Sequence, residues 1–554
     1  RANGVKPIIG SELYVAPNGR FDKNPNVPQC RGYHLIVIAK DLEGYRNLCK
    51  LSSRSALEGF YYNPRVDKEL LAELSGGLIG MSACLAGEIP TRIVEGRIKD
   101  AKKALESYID IFGSGNFYLE LMDNGYSDQK SVNKELILLS KEYDLKLVAT
   151  NDVHYLKREH AKAQELLVCI NTGKKLDDQD RMKSESDQLY LRSAIEMKEI
   201  FREVPESVRN TLEIAEKCNV SLPVGENHYP VFKKDGVEDN DAYLRKICID
   251  GIRERFGFEP GDKNLSEDQK VVLDRIDYEL GVISKAGYTS YFLIVWDFMK
   301  FASDSSISVG EGRGSGAGSL VAYLSGITGI DPIRFNLLFE RFLNPERVSP
   351  PDFDIDFCER RRSEVIEYVR AKYGEKNVVQ VATYGKMKEK MAFKDIARAL
   401  GRDAAEANEV TKLFPKVDKK DIKSDDDDSP AIAMDHIFNT EAALKKKKEE
   451  NEWIRDVLGY AKVLEGLNRN TSTHAAAVII GDRPIEQLVP LTKDSKGNPI
   501  TQFAGPECEK LGLLKMDFLG LSTLTIIQDT IDLIRATRKI DISTENIPFD
   551  DANT

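Results

Sequence analysis

The segment from Pro350 to Phe357 alternates acidic and apolar side chains. On a strand, successive side chains point to opposite faces, so Asp352, Asp354 and Asp356 are predicted to share one face. Three carboxylates on one face repel one another unless water or cations neutralise them, and carboxylate oxygens are ligands that Mg²⁺ prefers. The pattern predicts a metal site for phosphoryl transfer. The alternative is an exposed edge strand that uses charge to prevent aggregation.

A second acidic strand is predicted from Leu513 to Gly520. Its alternation places Lys515 and Asp517 on one face. If this strand lies beside the first, Asp517 completes a group of three carboxylates, and Lys515 can contact a phosphate or balance the negative charge. The alternative is an ion pair on the protein surface, because a single lysine and aspartate two residues apart are common there.

Glycine occupies every second position from 310 to 318, and an apolar segment follows. Glycines let backbone N–H groups approach a ligand closely, and the start of a helix favours bound phosphate. Arg313, Ser315 and Ser319 add donors. The segment lacks the Gly-Lys-Ser/Thr of a P-loop and the βαβ context of a dinucleotide fingerprint. We expect a phosphate-binding loop, with a flexible surface loop as the alternative.

Basic residues recur every four positions between 386 and 402, which places neighbours along one ridge of a helix. Such a ridge can follow a nucleic-acid backbone with salt-sensitive affinity that does not depend on base sequence. An exposed helix face is an equally good interpretation. The residues are Lys386, Lys390, Lys394, Arg398 and Arg402.

Potential metal ligands are scattered before residue 160. Asp152 and His154 follow the β-branched run at 146–150, and an Asp-x-His pair at the end of a strand suits a divalent or zinc ion. Taken singly, each such residue is more often structural. The candidates are Glu12, His34, Cys84, Asp152 and His154.

Strand-like and helical segments alternate up to about residue 220, which predicts a multidomain α/β protein in a chain of 554 residues. A proline-rich linker, a long helical region and a mainly helical stretch from Lys386 to Leu464 follow. The eight cysteines form no CxxC pair and suit reduced cytosolic thiols, and no segment predicts a membrane span. A net charge of −11 leaves room for a local basic groove.

Four segments occur in the order seen in the family C bacterial replicative DNA polymerases, which the chain resembles over nearly its whole length. The resemblance implies a palm of the polymerase beta-like nucleotidyltransferase type, a helical thumb and the start of the fingers. The segments are VGEGRGSGAGSLVAY, LLFERFLNPERVSPPDFDIDFCERRR, LNRNTSTHAAAVII and LLKMDFLGLSTLT.

The resemblance implies that Asp352, Asp354 and Asp517 are catalytic and hold two Mg²⁺ ions, with Asp356 in support. It also implies a packing role near the site for His474. The nucleotide-binding residues that the resemblance implies are Gly314, Ser315, Arg341 and Lys515, and Arg313 is predicted to add a donor on the same loop. The basic ridge falls where the palm passes into the thumb, and this favours primer–template contacts by Lys390, Lys394, Arg398 and Arg402.

The motifs GSELYV, YHLIVIAKD, MSACLAGE and TNDVHY resemble the later motifs of the polymerase and histidinol phosphatase (PHP) domain. Each contributes a metal ligand in that family, so the five N-terminal candidates are implied to form part of a Zn²⁺ or Mn²⁺ site. The first motifs of the family do not occur here. An incomplete PHP-type α/β barrel is therefore expected. The resemblance also implies that the PHP domain of the longer protein could act as a metal-dependent 3′–5′ exonuclease.

The implied domains are PHP at 1–222, palm at 223–385 and 465–522, thumb at 386–464 and the start of the fingers at 523–554. We expect a cytoplasmic DNA-directed DNA polymerase, truncated at both ends, that binds primer–template DNA and deoxynucleoside triphosphates (dNTPs). The sliding clamp and other replisome subunits would bind through regions that this chain lacks, and the truncated chain itself is expected to be inactive. The alternatives are a PHP metallo-phosphoesterase and an inactive DNA-binding fragment.

Overall fold

The structure, a computed structural model, describes residues 3–344, 351–415 and 433–542. The chain divides into two compact units. The first is drawn from Arg1–Leu222, Thr383–Ser472 and Leu491–Lys493, and the second from Pro223–Ala382, Thr473–Pro490 and Asp494–Thr554. Most of the predicted thumb therefore groups with the predicted PHP segment. Residues 416–432 of the predicted thumb and 543–554 of the predicted fingers lie outside the described residues.

The N-terminal part of the first unit alternates strands and helices, as the sequence predicts. The expected helix Ile98–Phe112 and the expected strand near His34 are both confirmed. The elements are β1 (Gly10–Val15), β2 (Tyr33–Ala39), α1 (Leu42–Leu57), β3 (Arg65–Val66), α2 (Lys68–Glu73), β4 (Leu78–Met81), α3 (Glu88–Val94), α4 (Ile98–Phe112), β5 (Phe117–Leu121), α5 (Ser127–Glu142), β6 (Leu147–Ala149), α6 (Ala161–Thr172), α7 (Ala194–Ile200) and α8 (Pro205–Lys217).

These strands form a mixed sheet in the order β3–β1–β2–β4–β5–β6. The pairs β1–β2 and β2–β4 are antiparallel, whereas β4–β5 and β5–β6 are parallel. Along β2, Tyr33, Leu35 and Val37 are buried, so His34 faces the other side of the sheet. β4 ends shortly before Cys84, and β6 ends shortly before Asp152 and His154. The pairing of the strands in the sheet therefore fixes where these candidate ligands begin. Closure into a barrel stays a prediction.

The second unit begins with helices that cover one face of its own sheet. The long helical region predicted from Ser266 to Ala302 is two helices, because the chain turns at Ala286–Tyr288. The elements are α9 (Asn240–Arg255), α10 (Glu267–Lys285), α11 (Thr289–Asp304), α12 (Leu320–Leu324), β7 (Asp354–Cys358), α13 (Arg362–Tyr373) and β8 (Val378–Lys386).

The chain then returns to the first unit as a group of helices. Their buried face, which includes Phe393, Ile396 and Phe438, packs with Leu166 and Cys169 of α6 in one apolar core. The α6 helix and this helical group therefore belong to one folded body. The helices are α14 (Glu389–Ala399), α15 (Ala404–Lys412), α16 (Ala433–Thr440), α17 (Ala442–Glu450) and α18 (Glu452–Leu464).

The remaining elements complete the sheet of the second unit, in which neighbouring strands follow the order β11–β8–β9–β12–β7. β12 pairs parallel with β7 and antiparallel with β9. On the apolar face, Phe298 of α11 lies 6.3 Å from Phe357 and 4.9 Å from Phe518, measured between ring centroids. The elements are β9 (Asn468–Ile480), β11 (Pro499–Ala504), α19 (Gly505–Lys510), β12 (Leu514–Leu521) and α20 (Ser522–Arg538), whereas the short strand β10 (Leu491–Lys493) belongs to the first unit.

No helix in the described part of the chain is both long enough and apolar enough to cross a membrane.

Phe357 is the apolar anchor directly beneath the acidic face, and its side chain is fully buried. We expect Phe357→Ala to lower the free energy of unfolding by about 3–5 kcal/mol, because truncation leaves a cavity between two rings. Urea unfolding followed by fluorescence measures this change. The matched control is Phe335→Ala, whose ring is 57% exposed and whose loss should cost less than about 0.5 kcal/mol. Equal costs for the two variants would contradict the packing.

Candidate active site

Three aspartates meet on the acidic face of the second unit. The parallel register of β7 and β12 sets Asp354 directly beside Asp517. With Asp352, each offers one carboxylate oxygen, and these oxygens all lie within 4.8 Å of one another. The expectation that the two acidic strands are neighbours is therefore correct.

Asp352 is not part of the strand on which the sequence pattern placed it. β7 begins only at Asp354, so Asp352 lies in the segment that leads into the strand. The backbone N–H of Phe353 donates to the Tyr291 hydroxyl at 2.9 Å, and the two rings stack 5.6 Å apart. Packing against α11, rather than strand pairing, thus holds Asp352 at the site.

Lys515 is the basic residue at the centre of the group. Its Nζ lies 2.8 Å from Asp517 Oδ2, 4.0 Å from Asp352 Oδ2 and 3.9 Å from Glu509 Oε1. Burial lowers the pKa of Lys515, but the hydrogen bond to Asp517 and the three negative charges outweigh it and raise the pKa. The lysine therefore stays charged and balances part of the acidic group. Glu509, on α19, was missed in the sequence because nothing in its surroundings marks it.

The donor set fits a cation that prefers oxygen. Partial burial raises the pKa of Asp352, and the charges of Asp517 and Asp354 add to this, against the lowering effect of Lys515. The second oxygen of Asp517, Oδ1, is buried and has no hydrogen-bond partner among the described residues. An unpartnered buried carboxylate oxygen within an all-carboxylate group is a position that a cation such as Mg²⁺ would satisfy.

The glycine-rich segment reaches the acids through its first half. Arg313 lies 3.5 Å from Asp354, measured between Nη2 and Oδ1, and 3.5 Å from Asp356, between Nε and Oδ2. Gly314 adopts a φ of +68°, and a Cβ there would lie 3.6 Å from Asp354 Oδ2. At Gly316 a Cβ would lie 2.7 Å from the Phe353 ring, so close packing also demands glycine. Ser315 is exposed beside this turn.

The start of α12 does not offer the free N–H groups that we expected for a phosphate. The carboxylate of Glu279 accepts from the N–H groups of Leu320 at 3.0 Å and Val321 at 3.1 Å, and from Ser319 Oγ at 2.8 Å. Ser319 Oγ in turn accepts from Ala322 N–H. Burial raises the pKa of Glu279. The exposed polar groups of this segment therefore lie in its first half, at Arg313, Gly314 and Ser315.

Two further candidates lie on other segments of the second unit. Arg341 ends the short turn Phe339–Arg341, is exposed and makes no ion pair within the described residues. His474, on β9, accepts from the N–H groups of Ala476 and Ala477 through Nδ1 and is half-buried. This local bonding is typical of a structural histidine.

The basic ridge is shorter than its spacing suggested. The helix α14 spans Glu389–Ala399, so Lys386 ends β8 and Arg402 follows the helix. Lys390 and Lys394 are exposed, but Arg398 donates to the Ile170 carbonyl at 3.3 Å. The guanidinium of Arg402 lies 5.7 Å from the Trp453 ring. DNA contacts by Lys390 and Lys394 stay predictions, whereas Arg398 has an internal structural role.

Three of the N-terminal candidates meet on the first sheet. His34 Nδ1 lies 2.9 Å from Glu12 Oε1 and 3.6 Å from Cys84 Sγ. Burial lowers the pKa of His34, but the hydrogen bonds to Cys84 and Glu12 and their charges outweigh it and raise the pKa to about 10. Nitrogen, oxygen and sulfur donors in one group suit Zn²⁺ better than Mg²⁺.

The other two candidates form a pair in the same unit. His154 Nε2 lies 3.2 Å from Asp152 Oδ1, and this hydrogen bond raises the pKa of His154, to which the charge of Glu12 also contributes. The two groups of candidates therefore share one electrostatic environment.

Glu120 is a residue of this environment that sequence reasoning missed. It is buried on β5, and its Oε2 accepts from Ala83 N–H at 2.6 Å, next to Cys84. Burial raises its pKa to about 7, and the charges of Asp152 and Glu12 add to this. A lone acid within the apolar strand Phe117–Leu121 was the signal that could have identified it.

Comparison with known proteins matches both parts of the chain. The family model described as Bacterial DNA polymerase III alpha NTPase domain matches residues 242–520, and the PHP domain model matches residues 1–124. The chain is 45% identical over 559 residues to the DNA polymerase III subunit alpha of Borreliella burgdorferi, covering 100% of this chain and 46% of that protein.

Two other relatives carry the same name. The DNA polymerase III subunit alpha of Treponema pallidum is 45% identical over 536 residues, covering 96% of this chain and 44% of that protein. The protein of that name from Thermus aquaticus is 40% identical over 605 residues, covering 100% of this chain and 49% of that protein. The chain thus spans about half the length of these relatives.

The raised pKa of His34 predicts how the stability of the metal-free protein depends on pH. Because the folded pKa of about 10 exceeds the ordinary value near 6.5, the charged imidazole contributes its full stabilisation below about pH 6.5. That stabilisation is lost as the pH rises from there towards about 10. NMR titration of isotope-labelled histidine should show His34 protonated at neutral pH, and Glu12→Gln should lower its pKa. The variant His34→Gln identifies the resonance, and an ordinary titration in the wild type would contradict the Glu12–His34–Cys84 contacts.

Proposed function

Since the chain belongs to the family of bacterial DNA polymerase III alpha subunits, we propose that the full-length protein performs template-directed DNA synthesis in bacterial chromosome replication. The primer 3′-oxygen would bond to the α-phosphorus of a dNTP, the bond to the departing pyrophosphate would break, and the hydroxyl proton would be lost. The observation that carries the proposal is the convergence of Asp352, Asp354 and Asp517, whose ligand oxygens lie within 4.8 Å of one another.

The three aspartates would hold two Mg²⁺ ions. Bound there, the ions would supply activation of the 3′-hydroxyl and neutralisation of the charge on the transferred and leaving phosphates. The chain's own contribution is positioning: paired β7 and β12 present Asp354 and Asp517 from a rigid sheet. The buried Phe357 and Phe518 on the other face keep that sheet from shifting.

The basic residues around the acids suit a triphosphate. Lys515 stays charged beside Asp517 and would compensate negative charge when phosphates arrive. Arg313 already bridges Asp354 and Asp356, so a bound phosphate would compete for a guanidinium at the mouth of the site. The exposed Gly314 and Ser315 lie on the same turn, and Arg341 would add a further charge. Primer–template DNA would lie along exposed lysines such as Lys390.

Substitution of one acid tests the polymerase proposal. In the full-length protein, Asp354→Ala should reduce primer extension with Mg²⁺ and four dNTPs by at least about a thousandfold, because it removes transition-state charge stabilisation. The matched control is Asp304→Ala, an exposed aspartate of the second unit that pairs with Lys300 outside the acidic group, and it should retain most of the extension. Equal extension by wild type and Asp354→Ala would mean that the active site lies elsewhere. Extension by neither protein would favour a DNA-binding role without polymerase activity.

A second candidate function belongs to the first unit. Glu12 and Cys84 both approach His34. The Asp152–His154 pair shares their electrostatic environment. This arrangement supports a metal-dependent phosphoesterase that acts on DNA ends. A Zn²⁺ or Mn²⁺ ion held there would polarise a phosphate and activate water. In the full-length protein this activity would be a 3′–5′ exonuclease.

The test is removal of His154. We expect His154→Ala to lower release of nucleotides from a 3′-labelled single strand by about 10–100-fold, as the loss of a group that supports a metal site does. Primer extension by the same variant should be unchanged. His160→Ala, six residues along the chain, is the control and should leave both activities intact. Nucleotide release that survives in His154→Ala would remove this candidate function.

A further inference from the structure

The two segments proposed to contact the nucleotide share one anchor on α10. Arg275 Nη2 donates to the Gly318 carbonyl at 3.1 Å and to the Leu337 carbonyl at 3.3 Å. Gly318 ends the turn that begins at Gly314, and Leu337 lies just before the turn Phe339–Arg341. One guanidinium therefore connects the turn that carries Gly314 and Ser315 with the turn that carries Arg341.

Glu279, one helical turn further along α10, holds that guanidinium in place. Its Oε1 accepts from Arg275 Nε at 2.6 Å, and its side chain is fully buried. The same carboxylate accepts from Ser319 Oγ and from the N–H groups of Leu320 and Val321, at 2.8–3.1 Å. Four donors thus satisfy one buried charge, an arrangement that fixes its neighbours in a single geometry.

The carboxylate of Glu279 accepts from the first N–H groups of α12, so these groups are already bonded within the protein. A phosphate could not approach these N–H groups without displacing a buried ion pair. The exposed polar groups on the same segment are Arg313, Gly314 and Ser315, and Arg313 already contacts Asp354. The Glu279 carboxylate therefore leaves only the side of the segment that faces the acids for an incoming triphosphate.

A weaker contact supports the same connection. Tyr278, also on α10, donates from its hydroxyl to Glu340 Oε1 at 3.0 Å, within the turn Phe339–Arg341. The turn Gly314–Gly318 also packs directly against this second turn, since a Cβ on Gly318 would lie 2.6 Å from the Leu338 carbonyl oxygen. Both turns are thus held to one helix and to each other.

We propose that Arg275 and Glu279 are positioning residues for the incoming nucleotide: together they hold the two turns as one receptor for the triphosphate. The proposal rests on the polymerase function proposed above. Neither residue is proposed to contact the substrate. Arg275 and Glu279 would act indirectly, by holding the backbone of the two turns that contact the nucleotide.

The test compares Glu279→Gln and Arg275→Lys with the wild type in the full-length protein. Glutamine keeps the shape of the side chain but removes its charge, and lysine keeps the charge but cannot reach both carbonyls in the fork geometry of arginine. Both variants should raise the KM for dNTP by about 10–100-fold, because a shift of a binding group by about 1 Å has an effect of up to this size. The fall in kcat should be smaller, and the Kd for primer–template DNA should be unchanged.

The matched control is Asp277→Asn, on the same helix, whose exposed carboxylate pairs with Arg245. It should leave the KM for dNTP at the wild-type value. A purely structural role predicts a different pattern, because a partly unfolded population lowers the amplitude of single-turnover incorporation while KM stays constant. If Glu279→Gln does not fold, the KM of Arg275→Lys still tests the inference.

An unchanged KM in both folded variants would overturn the inference, as would a rise in KM matched by an equal loss of DNA affinity. Either result leaves the polymerase proposal standing if the wild type extends primers and Asp354→Ala does not. Failure of the wild type to incorporate any nucleotide would instead remove the polymerase proposal, and the inference with it.

Discussion

Repulsion among Asp352, Asp354 and Asp517 is the constraint on which the rest of the second unit depends. Their oxygens lie within 4.8 Å of one another, a separation at which like charges interact strongly wherever water is partly excluded. The sheet cannot relieve that repulsion by sliding, because the register of β7 and β12 is tied to a buried apolar face. Neutralisation must therefore come from cations, which Lys515 and Arg313 supply in part.

Glu279 shows the opposite treatment of an acid in the same unit. Its buried carboxylate receives four donors, so it has no remaining capacity for a ligand and contributes order instead. Asp517 keeps one buried oxygen without a partner among the described residues. The contrast is between a carboxylate whose bonds are all made within the fold and one that retains an oxygen able to accept a ligand.

The first unit divides its acids in a similar way. Glu120 is buried and bonds to the backbone beside Cys84, whereas Glu12 is partly exposed and contacts His34. Glu12, His34 and Cys84 were predicted because their motifs resemble motifs that each contribute a metal ligand in the PHP family. The motifs did not include Glu120, whose bond to the Ala83 N–H joins segments far apart in sequence. The spacing of the basic residues likewise did not show that Arg398 bonds to the Ile170 carbonyl.

Local alternation was sufficient to determine which side chains share a face. Asp354 with Asp356, and Lys515 with Asp517, were predicted from a period of two because backbone geometry alone imposes that period. The sequence also determined the family, through motifs that occur in order. Only the tertiary structure decided that the two strands pair in parallel, and that Asp352 joins the group from outside a strand. It also decided that Glu279, on a separate helix, occupies the start of α12. These contacts join segments far apart in sequence, and burial of apolar surface between the segments, rather than any local preference, brings them together.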